Sequence, residues 1–213
     1  MTSGAQGVTG WTYAAEAGEN GGGPALLTLH GTGGDEREMV SFGRSLLPSA
    51  PILAPRGRVS EHGMARFFRR TAEDPFSFPD LAERIDELAS FVREAVPAHG
   101  LEGRPLVAVG YSNGANAAAA LMLRHPGLLA GGALLRPMLP APPPEDLDLR
   151  GTRVLLAGGR ADAMIPGPRV RALATALRDA GAEVTEHWSD AGHGLTQGDL
   201  TATEAFLAGF PAG

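Results

Sequence analysis

The chain contains no cysteine, which excludes disulfides, thiolate metal sites and a cysteine nucleophile together. It has no apolar run approaching the ~18 residues that a membrane-spanning helix needs. Residues 1–10 show neither a basic start nor an apolar centre, so no export signal is read and the cytoplasm is the expected location. Long basic runs are also missing and the net charge is −6, so nucleic acid is not an expected partner. Arg66, Arg69 and Arg70 form the one tight basic cluster.

What remains is an ordinary globular composition, 43% apolar and 20% charged, in 213 residues. That length suits a single domain over residues 1–213 with a sizeable buried core. No internal repeat or linker interrupts it, and the proline-rich stretch 141–144 is too short to divide domains. Strand-like segments are read at 11–14, 25–30, 51–54, 106–110, 131–135, 153–157 and 183–188. Helices are read at 36–47, 80–95, 113–124, 167–180 and from Asp199 to residue 210. In the helix at 80–95, Asp80 and Glu83 resemble a capping box, Leu81, Ile85, Leu88 and Val92 share a face, and Pro97 is the stop. Asp199 is read as the cap of the last helix. Strands alternating with helices predict an α/β fold, its sheet mostly parallel and covered on both faces.

The segment from Leu106 to Ala117 carries the chemistry. An apolar strand runs into Gly110-Tyr111-Ser112-Asn113-Gly114, and an alanine-rich helix follows at once. Strand, sharp turn and helix in that order expose a serine hydroxyl at the end of a sheet. Gly110 and Gly114 are needed because side chains there would collide at so tight a turn. Ser112 therefore reads as a nucleophile.

A serine needs a base to take its proton, and an imidazole needs a carboxylate to hold it. His193, in Gly192-His193-Gly194 after the strand at 183–188, is the expected base. Asp162, after the strand at 153–157, is the expected acid. His187 lies inside a strand, while His62, His99 and His125 lie on loops or helix ends; solvated or structural roles suit them better. Asp190 follows the wrong strand, and Asp146 and Asp148 read as surface charges. The oxyanion requires fixed donors. The backbone N–H groups of Asn113 and Thr32 are expected to supply them, with His30 bracing the Thr32 loop.

These segments resemble the bacterial phospholipase/carboxylesterase family of serine α/β-hydrolases. The residues that carry the likeness are His30-Gly31-Thr32-Gly33-Gly34-Asp35-Glu36, Gly110-Tyr111-Ser112-Asn113-Gly114, Gly158-Gly159-Arg160-Ala161-Asp162 and Ala191-Gly192-His193-Gly194-Leu195. The segment from Gly63 to Arg70 is similar to a small esterase subgroup linked to hydroquinone detoxification. The resemblance implies the α/β-hydrolase fold and hydrolysis of carboxylic esters without metal or organic cofactor. It also leaves lysophospholipase and acyl thioesterase activity open. Asn113 stands where many thioesterase relatives carry glutamine, which weakens the thioester option.

Residues 136–161, which must include another strand, leave no room for a cap domain. The long connection at 55–79 is expected to form one pocket wall. Phe67 and Phe68 either line that wall or pin the loop to the core. Met138, Met164, Ile165 and Leu195 are expected to complete the pocket. A solvated or structural role is favoured for Arg66, Arg69 and Arg70 over pairing with an acidic substrate group. An acyltransferase and a non-catalytic binding protein are the readings from other classes. The expected partner is a small-molecule ester, and oligomeric state is left open, a homodimer included.

Overall fold

The computed structural model describes residues 10–19, 23–70 and 78–211. Seven strands form one sheet: β1 (Tyr13–Glu16), β2 (Ala25–Leu29), β3 (Ile52–Pro55), β6 (Leu106–Tyr111), β7 (Gly131–Leu135), β8 (Arg153–Gly159) and β9 (Glu183–Ser189). Their spatial order is β1-β3-β2-β6-β7-β8-β9. Only β1 runs antiparallel to its neighbour, β3; every other pairing in this sheet is parallel. A separate hairpin joins β4 (Val59–Glu61) to β5 (Met64–Arg66). The helices are α1 (Glu36–Leu46), α2 (Leu81–Ala98), α3 (Asn113–Arg124), α4 (Gly167–Asp179) and α5 (Gln197–Ala208). This is the α/β-hydrolase architecture, with helices on both faces.

Period-two alternation divides the core. Leu27, Leu29 and Ala108 point to the face covered by α2, α3 and α4. Leu26, Val107 and Val109 point to the face covered by α1 and α5. The chain leaves β2 for β3 on one side and later adds β6 on the other, so the strand order reverses between β2 and β6. Open parallel sheets place their sites at the carboxyl ends of such strands. Ser112 and the Thr32 loop both emerge there. Among the described residues no helix is long and apolar enough to cross a membrane.

Several local readings are corrected. β1 begins two residues later than expected, because its ladder with β3 starts at Tyr13 opposite Pro55, the last residue of β3; Trp11 packs on Phe91 just before it. Asp80 stands at the start of α2 but makes no capping bond. Its carboxylate instead accepts the Arg69 N–H at 2.8 Å and faces Arg84 at 3.4 Å. Pro97 does not stop α2, which continues to Ala98. A proline in the last turn forfeits little, and the His99 N–H still reaches the Ala95 carbonyl at 3.1 Å. Thr196 caps α5, and Asp199 is the third residue of that helix, closing a reciprocal capping box. The hairpin within 55–79 turns through His62 and Gly63, both at positive φ (50° and 78°), as a primed two-residue turn requires.

Candidate active site

The turn after β6 is built by exclusion. Ser112 sits at φ 51°, ψ −111°, a region that residues with a Cβ avoid. Its N–H is fixed by the Leu135 carbonyl at 2.9 Å and its carbonyl by the Asn116 N–H at 3.0 Å. A Cβ on Gly110 would stand 2.6 Å from the Gly114 carbonyl oxygen. One on Gly114 would stand 2.1 Å from the carbonyl oxygen of Leu29 in β2. Backbone cannot yield as a flexible side chain can. Gly114→Ala is therefore expected to lose about 1–3 kcal/mol of stability, as overpacked sites do, read as a lower urea midpoint at unchanged slope.

Three side chains meet at this turn. The buried Asp162 carboxylate accepts the N–H groups of Met164 and Ile165 through Oδ1, both at 2.9 Å. Its Oδ2 lies 2.8 Å from Nδ1 of His193, whose Nε2 lies 2.9 Å from Ser112 Oγ. A carboxylate only accepts, so Nδ1 carries the proton and Nε2 is left to accept from the serine hydroxyl. The other histidines are elsewhere: His99 lies by Tyr13, His125 by Asp86, and His62 in the hairpin turn. Asp190 is exposed and pairs with Arg160 at 3.1 Å.

Sequence reasoning missed Arg136. It follows β7 at φ 57° and is wholly buried. Its guanidinium donates to the carbonyls of Gly192 (3.1 Å) and Gly194 (2.7 Å), the two residues that flank His193. It also donates to Ser189 Oγ, the Ala157 carbonyl and the buried Asp199, the last at 2.7 Å. Asp199 in turn accepts from the N–H and hydroxyl of Thr196. Burial pushes the Asp199 carboxyl up, but the bonds from Arg136 and Thr196 outweigh it and hold the group below its ordinary value. Tyr111 adds a hydroxyl bond to the His193 carbonyl at 3.1 Å. The one signal was an arginine directly after an apolar strand, in Leu134-Leu135-Arg136-Pro137.

The loop after β2 faces the same turn. His30 is a brace: Nε2 accepts the Gly57 N–H at 2.9 Å, so Nδ1 donates to the Gly31 carbonyl at 2.7 Å. The Gly33 N–H reaches Ala65 on the hairpin at 2.9 Å, and Thr32 Oγ1 accepts from Arg66 at 2.5 Å. The Asn113 side chain accepts the Phe67 N–H at 2.8 Å. Burial lowers the His30 pKa from its ordinary 6.5. The unfolded chain therefore takes up a proton that folded His30 refuses. Its stability is full above pH 6.5 and falls as the solution is acidified below that. His30→Gln, which keeps an acceptor at the ε position, should flatten the dependence of the urea midpoint between about pH 7 and pH 5. An equally steep slope in the variant would assign the acid loss elsewhere.

No family model matches the chain. It is 42% identical over 172 residues to MhqD of Bacillus subtilis (strain 168), which carries the name of a hydrolase; the match covers 81% of this chain and 86% of that protein. The chain belongs to the phospholipase/carboxylesterase-type α/β-hydrolases. Two solved structures agree. The Bacillus cereus carboxylesterase superposes with a TM-score of 0.88 at 36% identity, over 93% of each chain. The Mesorhizobium loti carboxylesterase gives 0.87 at 35% identity, over 96% of this chain and 97% of that one.

In this hydrolase Ser112 and His193 open into a cavity of about 410 Å³. Met138, Met164 and Ile165 line it, as does Thr32. Leu195 lies across Thr32 in a second cavity of about 500 Å³, with Met39 and Phe42. Phe67 and Phe68 do not form the expected apolar wall. Both are core residues, Phe67 against the His30 ring and Phe68 against Phe78, each with ring centroids 4.8 Å apart. Phe78 is the aromatic side chain that reaches the cavity. Arg66 and Arg70 line it too, whereas Arg69 is turned toward Asp80.

Proposed function

We propose that the protein is a serine carboxylesterase acting on small or short-acyl esters through an acyl-enzyme. The observation that carries this is the unbroken hydrogen-bonded series Asp162, His193, Ser112, at 2.8 and 2.9 Å. Ser112 Oγ attacks the ester carbonyl while His193 Nε2 takes its proton. The carbonyl oxygen becomes an oxyanion held by the N–H groups of Thr32 and Asn113. Collapse of this intermediate breaks the bond to the alcohol, which leaves with the proton from His193. Water, deprotonated by the same imidazole, then attacks the acyl group and frees Ser112. Asp162 keeps its own charge throughout, orienting the ring and stabilising its cation.

The cavity of about 410 Å³ lies toward the small end of ligand pockets, which supports a short acyl limb. Turnover of p-nitrophenyl esters from acetate to long-chain acyl groups tests this. The expected result is activity that falls with chain length. A rise would transfer the assignment to lysophospholipase or thioesterase chemistry, and new esters formed from added alcohols would indicate acyl transfer. No hydrolysis of any ester would leave a binding protein. Met164 stands exposed on the lining of this cavity, so Met164→Trp should narrow the mouth and steepen the fall. An equal effect on all chain lengths would place Met164 outside the acyl path.

A further inference from the structure

Resting on the esterase reading, we propose that the Ser112 cavity selects esters bearing a second, ionised carboxylate, which Arg66 and Arg70 receive. The argument begins with charge. The chain carries a net −6, so its general field repels an anionic substrate. The cavity runs against that field: two arginines line it, and no Asp or Glu does so among the described residues.

The balance behind the lining leaves positive charge over. Arg66 Nε faces Glu61 at 3.2 Å and the Phe68 carbonyl at 3.2 Å, and its Nη1 is spent on Thr32. Arg70 shares that same Glu61, with its N–H bonded at 3.1 Å and its Nε 4.0 Å away. One carboxylate thus serves two guanidinium groups. The next acid, Asp80, faces Arg84 at 3.4 Å and Arg69 at 3.9 Å, and Arg84 also pairs with Glu87 at 2.9 Å and Glu83 at 3.6 Å. The Arg66 side chain is only 7% exposed. Its burial, with the neighbouring Arg70 cation, outweighs the help of Glu61 and Asp80 and lowers its affinity for the proton.

An anion entering this cavity would supply what is missing. Its apolar neighbours, Phe78, Met138 and Ile165, lower the polarity around the nearly buried Arg66 and so strengthen the attraction there, while Arg70 stands half exposed. A planar carboxylate suits guanidinium donors better than a single point charge does. The arginines line the same cavity as Ser112 and His193, so one substrate can present its ester to the serine and its acid limb to a guanidinium.

The test compares monomethyl glutarate with methyl pentanoate, an acid and a neutral ester of matched length, by pH-stat hydrolysis. The wild-type kcat/KM ratio should favour the acid ester by about tenfold or more, the scale of a hydrogen bond to a charged group. Arg70→Gln should lower that ratio by about tenfold, and Glu61→Gln, which frees both guanidinium groups, should raise it. Salt should erode the preference. Equal changes on both esters in both variants would overturn selection and leave the arginines as braces of the Thr32 loop. Calorimetric titration of Ser112→Ala with monomethyl glutarate gives a readout independent of turnover. Binding that disappears in Ser112→Ala/Arg70→Gln supports the acid site even if no ester is hydrolysed, in which case the esterase reading alone fails. No binding, or binding indifferent to Arg70, overturns it.

Discussion

Ser112→Ala should reduce kcat by about 10⁴- to 10⁶-fold on any ester that the wild type hydrolyses, the loss that follows when the nucleophile of a triad is removed. Fold and chemistry separate cleanly at this position. The hydroxyl makes a bond to His193 at 2.9 Å, whereas the backbone is held by Leu135 and Asn116, which alanine retains. Alanine also keeps a Cβ at φ 51°, so the strain is conserved. The urea midpoint should therefore move by no more than about 0.5 kcal/mol, as for changes that leave packing intact. Stopped-flow p-nitrophenol release completes the measurement: a burst in the wild type reports the acyl-enzyme, and the variant should show none. Near-normal turnover in a folded Ser112→Ala protein would defeat the proposed mechanism. Unfolding of the variant would instead show that the hydroxyl matters for stability, and the bond geometry gives no reason to expect that.

The three residues of the proposed triad were legible as a set because each belongs to a local pattern. Ser112 sits between a strand and a helix with glycines at fixed offsets, and His193 and Asp162 each follow a strand. Local pattern also placed the faces of the helices, as the buried Leu81, Ile85, Leu88 and Val92 show. What could not be read depends on contacts distant in sequence. Arg136 meets Ala157, Gly192 and Asp199 across 21, 56 and 63 residues, and nothing within its own segment announces them. The neighbours of Asp199 look like a helix start, but the cap itself is Thr196; Asp199 is its partner in the capping box, and a buried guanidinium shares the same carboxylate. Phe67 and Phe68 were apolar residues in a long loop, a description that fits a pocket wall and a core anchor equally. Only the packing against His30 and Phe78 decides.

Arg136 carries the second large effect. Arg136→Met removes the cation and leaves the Asp199 carboxylate buried beside Thr196, Ser189 and the His187 ring, whose Nε2 stands 3.4 Å away. Breaking a buried pair from one side costs about 3–5 kcal/mol, since the surviving charge stays desolvated. Asp199→Asn should cost a comparable amount from the other side. The double variant should lose less than the sum, because neither charge is then stranded. Acid supplies a separate check. The Asp199 carboxyl is held below its ordinary 3.8, so its contribution is full above that pH and fades as the solution is acidified through the folded value. Asp199→Asn should lack that component. Arg136→Lys should not rescue, because one ammonium cannot reach the Gly192 and Gly194 carbonyls while also pairing with Asp199. Those two carbonyls flank His193, so the folded fraction of each Arg136 variant should also lose about 100-fold in kcat, the effect of displacing a catalytic group by an ångström. KM should shift far less. A variant that lost stability but kept kcat would show that Asp162 alone aims the imidazole, and that Arg136 serves the fold rather than the reaction.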